Sequence, residues 1–190
     1  MNAFENWFCG SGLWRWITRQ QLLPWLVDQS QLGDHLLELG AGPGAATTEL
    51  RRLVRRVTSL DYDHKYAAAL HARTANDGIS VLQADAARLP FPDCTFSSAI
   101  AVLMLHHLTS PRLQDAALAE VLRVLRPGGI FLALEIRDTW FQRVGHIHST
   151  FVPLAPGTIN ARLTAAGFWR VTVDFRGSAF RLRAIRAWDN

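Results

Sequence analysis

The stretch from His35 to Thr47, HLLELGAGPGAAT, limits what this chain can fold into more than any other. Leu36, Leu37 and Leu39 form a run suited to a central strand buried on both faces. Gly40, Gly42 and Gly44 follow at once. Lacking a Cβ, glycine can take a positive φ and let a ligand approach the backbone closely. Pro43 fixes φ inside the turn, and Ala45 to Val54 reads as the helix that follows. A strand, a glycine-rich turn and a helix start together build a nucleotide-type site at the carboxyl end of a parallel strand.

The spacing narrows the reading. A dinucleotide fingerprint is G-x-G-x-x-G. Here the turn is G-x-G-x-G, with Glu38 just ahead of it. A carboxylate there repels a pyrophosphate but can hold a cation. The stretch resembles motif I of the class I S-adenosylmethionine-dependent methyltransferases. Their cofactor carries a sulfonium and an ammonium and no phosphate. The resemblance implies that Glu38 lies near the amino-acid end of S-adenosylmethionine, with Gly40, Ala41, Gly42 and Gly44 along it. A glycine-rich turn with no ligand is the plain alternative.

Further landmarks follow in order. Arg56 to Leu60 reads as a second strand ending at Asp61, about 20 residues beyond the glycines, where an acid can accept from both ribose hydroxyls. Tyr62 can lie against the adenine, and Asp63 caps a helix over Lys65–Ala75. Ile79–Gln83 is a third strand, followed by Asp85 and Ala86; Asp85 can accept from the adenine amino group. Pro90 and Pro92 make the next stretch a loop. Asp-Ala followed by Leu-Pro-Phe resembles the matching stretch of small-molecule methyltransferases. Ser97 to Leu105 reads as the fourth strand and its exit. The family usually has an aspartate where this chain has Ser97, a departure at the start of the strand and away from the site.

The family architecture implies that the first and fourth strands end beside the transferred methyl group. Leu103 then joins the cofactor contacts, and His106 and His107 are the candidate catalytic bases. His146 and His148, with Trp14 and Trp16, are placed in the substrate pocket. His-x-His hints at a metal, but no third ligand stands out in the sequence, so no metal is expected. The Asn/Asp-Pro-Pro-Tyr signature of many nucleic-acid amino methyltransferases is absent, as is a Pro-Cys nucleophile.

Pro111 to Arg126 reads as a helix with apolar positions Leu113, Ala117, Leu118, Val121, Leu122 and Leu125, stopped by Pro127-Gly128-Gly129. Ile130 to Ile136 is a fifth strand, and the whole run E-V-L-R-V-L-R-P-G-G-I-F-L resembles the same family. Trp140 to Pro156 reads as an irregular connection, Gly157 to Ala166 as a helix ended by Gly167, and Trp169–Phe175 with Ala179–Ala187 as a hairpin. The expected fold is α/β: a doubly wound, Rossmann-like, seven-stranded sheet, mostly parallel, with an antiparallel C-terminal hairpin strand and an N-terminal helical segment. The resemblance covers residues 32–187 of a single methyltransferase domain. Residues 1–31 form a helical cap holding four of the seven tryptophans, Trp7, Trp14, Trp16 and Trp25. Its apolar spacing from Leu13 is helical, Pro24 starts or kinks a helix, and the segment is expected to cover the site.

Composition sets the remaining bounds. At 190 residues the chain fits one domain with a substantial core. The net charge of +4 is carried almost wholly by arginine, Lys65 being the only lysine. The clusters Arg51 to Arg56 and Arg176 to Arg186 read as solvated faces, too thinly charged for a nucleic-acid footprint. No apolar run is long enough to cross a membrane, and Arg15 and Arg19 allow only weak contact with a membrane surface. MNAFENWFCGSG is not a signal peptide, and Cys9 and Cys94 form no pair motif, so a reducing, cytoplasmic setting is expected. The expected function is methyl transfer to a small-molecule or lipid-like acceptor. A non-catalytic S-adenosylmethionine-binding module and a nucleotide-dependent oxidoreductase are the alternatives. The sequence leaves the oligomeric state open.

Overall fold

Nearly continuous buried runs make the central strands two-faced, so the sheet must be covered on both sides. The computed structural model describes residues 3–28 and 30–188, so residues 1, 2 and 29 of the N-terminal segment lie outside the described residues. Seven strands form one sheet: β1 (His35–Leu39), β2 (Arg56–Asp61), β3 (Ile79–Gln83), β4 (Phe96–Val102), β5 (Leu125–Ile136), β6 (Phe168–Arg176) and β7 (Ala179–Arg186). Their order is β3-β2-β1-β4-β5-β7-β6. The first five are parallel, and β7 runs antiparallel to both β5 and β6. The expected doubly wound sheet with its hairpin is the one observed.

Alternation assigns the faces. Leu36, Ile100, Leu132 and Leu134 pack with α3 (Leu23–Val27) and α4 (Thr47–Leu53). Leu37, Leu39, Ala99, Ala101, Phe131 and Ala133 pack with α6 (Pro111–Val124) and α8 (Pro156–Ala166). β1 pairs with both β2 and β4, and the winding reverses there. Ligands of open α/β sheets bind at such a switch point, outside the carboxyl ends of the strands.

Helix termini follow local chemistry. Asp63 caps α5 (His64–Thr74) by accepting from Lys65 N, and Ser110 caps α6 by accepting from Leu113 N. Gly167, at φ 104°, ends α8. Most boundaries fall within a residue or two of the sequence reading, and three differences change an element. The helix at the glycine turn starts at Thr47 rather than Ala45, because Gly44 and Ala45 still belong to the turn. α6 ends at Val124, and Pro127-Gly128-Gly129 does not stop it; these residues lie in β5, where the register against β4 jumps between Phe96 and Ser98. Proline and glycine in a strand mark this kind of bulge. The connection after β5 is not wholly irregular, since α7 (Trp140–Gly145) forms within it, its N-cap Thr139 accepting from Gln142 N.

The N-terminal segment holds α1 (Ala3–Cys9) and α2 (Gly12–Ile17), then a π-turn over Thr18–Leu22 that leads into α3. Pro24 explains the π-turn: it has no N–H and its ring crowds the preceding carbonyl, so the helix widens by one residue ahead of it. Leu23 and Leu26 anchor the segment in the core, while α2 buries none of its side chains. The chain then runs past α4, where Arg19 lies 3.7 Å from Glu49.

Ser97 stands at the far end of β4 and is structural. Its hydroxyl donates toward the carbonyls of Leu32 and His35 and accepts from His35 N at 2.9 Å, tying the entry to β1 against β4.

Candidate active site

The glycine turn is held by its own backbone. Ala41 N donates to Leu60 O at 2.9 Å and Gly44 N to Ala41 O at 2.8 Å. Gly42 N donates to Asp61 Oδ2 at 2.7 Å, which fixes the turn to the end of β2. Gly40 has φ 68°, and a Cβ there would sit 2.1 Å from Met104 Cγ, so the residue after Leu103 packs directly on the turn. Gly42 has φ 51° and nothing within 4 Å of where its Cβ would be. An open backbone position flanked by a carboxylate fits a ligand with hydroxyl donors.

The acids differ in environment. Glu38 is 2% exposed, its Oε2 accepts from Ser59 Oγ at 2.6 Å, and burial raises its pKa. The Thr47 hydroxyl lies close enough to oppose that rise, yet makes no hydrogen bond of good geometry. Asp61 also accepts from Asp63 N at 2.9 Å, and burial outweighs these bonds to raise its pKa. Asp85 is exposed and accepts from Ala87 N at 2.9 Å, while Ala86 is buried. Tyr62 is 76% exposed. Thus the glycine turn is tied to Asp61 through Gly42, Glu38 is buried at the end of β1 that leads into it, and Asp85 and Tyr62 are exposed beyond the ends of β3 and β2.

The β4 exit is organised by Glu135, which sequence reasoning left without a role. Its side chain is fully buried at the end of β5. Oε1 accepts from Met104 N at 3.1 Å and Leu105 N at 2.8 Å, and Oε2 meets His106 Nδ1 at 2.5 Å. A single carboxylate within an otherwise apolar strand was the available signal, since a buried charge needs dedicated partners. Gln114 is a second such residue. It occupies a buried position on α6 beside the expected Leu113, which is 37% exposed, and donates to Leu105 O and Val152 O. Leu103, at φ 54°, donates to Leu134 O and turns the chain out of the sheet.

His106 and His107 follow in a short 3-10 turn, Leu105–His107. His106 is buried; His107 is partly buried, and its Nδ1 meets Thr150 O at 3.0 Å. Burial first, then the neighbouring imidazoles, push the His107 pKa down to about 3. His146 joins them, its ring 5.2 Å from that of His106 and 5.6 Å from that of His107. His148 is exposed at φ 65° and stands apart from this group. Trp14 packs on Phe8 at 5.2 Å, and Trp16 is 54% exposed. The sequence reading had no third partner for the histidines of the 146–148 stretch, because the partners come from the β4 exit.

A comparison with known families decides the kinship. Residues 37–133 match the family model described as "Methyltransferase domain". The chain belongs to this methyltransferase family. The matched span runs from β1 through β5 and includes the turn, Asp61, Asp85 and the histidine pair. Among curated relatives, a Mycolicibacterium smegmatis protein named "Probable S-adenosylmethionine-dependent methyltransferase" is 31% identical over 62% of this chain and 44% of its own length. A fatty-acid O-methyltransferase of the same organism is 37% identical over 57% of this chain and 39% of its own. This chain therefore spans less than half the length of these relatives. Other relatives are named for sterol, quinone and ribosomal RNA methylation. A solved structure of the Pyrococcus horikoshii protein PH0226 shares the fold, with TM-score 0.79 and 16% identity over 94% of this chain and 93% of its own. No described helix of this chain is long and apolar enough to cross a membrane.

Proposed function

We propose that this chain transfers a methyl group from S-adenosylmethionine to a small-molecule or lipid-like acceptor. The observation that carries the reading is the turn itself: Gly42 open to a ligand and locked to Asp61, in a chain whose family is that of methyltransferases. The bound cofactor supplies a methyl group on a positively charged sulfur, open to in-line displacement. Glu38, Gly40, Ala41, Gly42, Gly44 and Leu103 would hold its amino-acid end and sulfur, and Asp61, Tyr62, Asp85 and Ala86 its nucleoside. Asp61 retains lone pairs for the ribose hydroxyls beyond the two backbone donors it already satisfies.

The chain's own part in the chemistry is positioning, exclusion of water and proton transfer. A carboxylate bonded to Nδ1 places the ring proton of His106 there, so Nε2 carries the lone pair. Nε2 can take a proton from an acceptor hydroxyl or acidic carbon, and Glu135 stabilises the resulting imidazolium. His107, held neutral, orients the acceptor. Apolar surface favours a lipid-like acceptor: Trp140, Phe141, Val144 and Ile147 on and after α7 are all more than half exposed, as are Trp7, Leu13 and Trp16 on the N-terminal segment. Trp140 and Phe141 also stack on each other at 3.9 Å. The cap over residues 1–31 would close on this side.

The test is transfer of tritiated methyl from S-adenosylmethionine into fractionated lipid and metabolite extracts. Label in an apolar or small-molecule fraction is expected. Label only in RNA would replace the acceptor class, and binding without transfer would leave a cofactor-binding module.

A further inference from the structure

We propose that His106, His107 and His146 form a binding site for one zinc-type divalent cation, with a fourth coordination position open. The inference stands on the geometry of the histidines and does not depend on methyl transfer. One ring nitrogen from each of the three lies within 4.8 Å of the others. They come from two separate segments, the turn after β4 and the end of α7.

The partners of the three rings are what distinguish this group from a packed aromatic cluster. His106 Nδ1 faces Glu135 Oε2 at 2.5 Å, His107 Nδ1 faces Thr150 O at 3.0 Å, and His146 Nδ1 faces Gln142 O at 2.7 Å. A carbonyl oxygen only accepts, and a carboxylate does the same, so each Nδ1 carries the proton and each Nε2 the lone pair. Metal-binding imidazoles are fixed in this way, by a carboxylate or carbonyl on the nitrogen that does not ligate. Phe151 stacks on His146 at 4.4 Å and meets His106 edge-on at 5.5 Å, which gives the group an apolar wall.

A tetrahedral ion with bonds of about 2.0–2.1 Å needs its nitrogens about 3.3 Å apart, so the group must contract on binding. α7 can supply that movement, because it buries none of its own side chains and ends at His146. Three neutral imidazoles suit Zn²⁺ or Co²⁺ and not Mg²⁺ or Ca²⁺, which take oxygen. Three protein ligands with one open position is the arrangement of catalytic rather than structural zinc. Met104, packed on Gly40 and two residues ahead of His106, joins the site to the glycine turn. An oxygen or sulfur of a ligand, or a water, is the fourth ligand expected.

The experiment is titration of the untagged, chelator-treated protein with Co²⁺, followed by its visible ligand-field bands. Intense four-coordinate bands saturating at one equivalent, and their loss on adding Zn²⁺, are expected. His146→Ala, at the exposed end of α7, should weaken binding at least tenfold, and Glu135→Gln by about 10–100-fold. His148→Ala should leave binding unchanged. Only the pale spectrum of the hydrated ion at one equivalent, or bands that persist in both His146→Ala and His107→Ala, would overturn the site. Turnover cannot serve here, since loss of His106 lowers it whether the ring holds a proton or a cation.

Discussion

The glycine turn and the histidine group flank the same switch point and are built by opposite means. The turn is local. It uses backbone N–H groups, glycines at positive φ and one carboxylate, Asp61, at the end of the adjacent strand. The histidine group is assembled from segments about 40 residues apart and is held by a buried carboxylate from a third. A part made of backbone serves a ligand common to a family. A part made of side chains from connecting segments suits what differs between members. The relatives fit that division, since their names share the cofactor or the methylation but spread across fatty acid, sterol, quinone and RNA.

The sharpest way to separate the two regions is to remove residues 1–20. Of the side chains described there, only Thr18 is buried, while Leu23 and Leu26 keep their core positions. Methyl transfer should be abolished, whereas the melting temperature and S-adenosylhomocysteine affinity should change little. A truncated chain that still methylates removes the cap from the acceptor side.

His106→Ala and His107→Ala come next. Loss of a base should lower turnover about 10²–10⁴-fold with cofactor affinity nearly intact, and only for His106. Single-turnover rates measure this, and equal loss in both variants would take the base role from His106 alone and give the pair a shared one.

Asp61→Ala acts on the other region. It should weaken S-adenosylhomocysteine binding by about 1.5–3 kcal/mol, the range for hydrogen bonds to a charged group. The acceptor's KM should not move. An unchanged dissociation constant would take Asp61 out of the site.

Glu38→Gln should have the smallest effect, and it shows in pH dependence. Burial raises the folded pKa of Glu38 above its ordinary value of 4.5. Between those two values the folded state binds more protons than the unfolded, so stability falls as pH rises, by at most about 1.4 kcal/mol per unit. The Gln variant lacks that loss, so its melting temperature should exceed that of the wild type increasingly as pH climbs above 4.5. Thermal melts across that window measure it. Parallel curves would mean that Glu38 is not ionised at cost.

Much of this was legible in sequence for physical reasons. Leu36 and Leu37 show their opposite faces through period-two alternation, and Asp63 and Pro111 mark the helix starts where they stand. Glu135 and Gln114 did not declare themselves. Each is one polar residue whose partners, the backbone of Met104 and Leu105 and the carbonyl of Val152, are adjacent only after folding. Pro127-Gly128-Gly129 misled because the same residues serve as a helix stop and as a bulge, and the neighbouring strand decides which. His146 needed the helix of α7 to bring it back to the β4 exit, and a six-residue helix leaves little periodic signal.

Calorimetric titration of the intact chain with S-adenosylhomocysteine and, separately, with NAD tests the central claim most directly, because it asks what the glycine turn was built to hold. One equivalent of S-adenosylhomocysteine should bind, and NAD should bind far more weakly or not at all. Tighter binding of NAD would contradict the account.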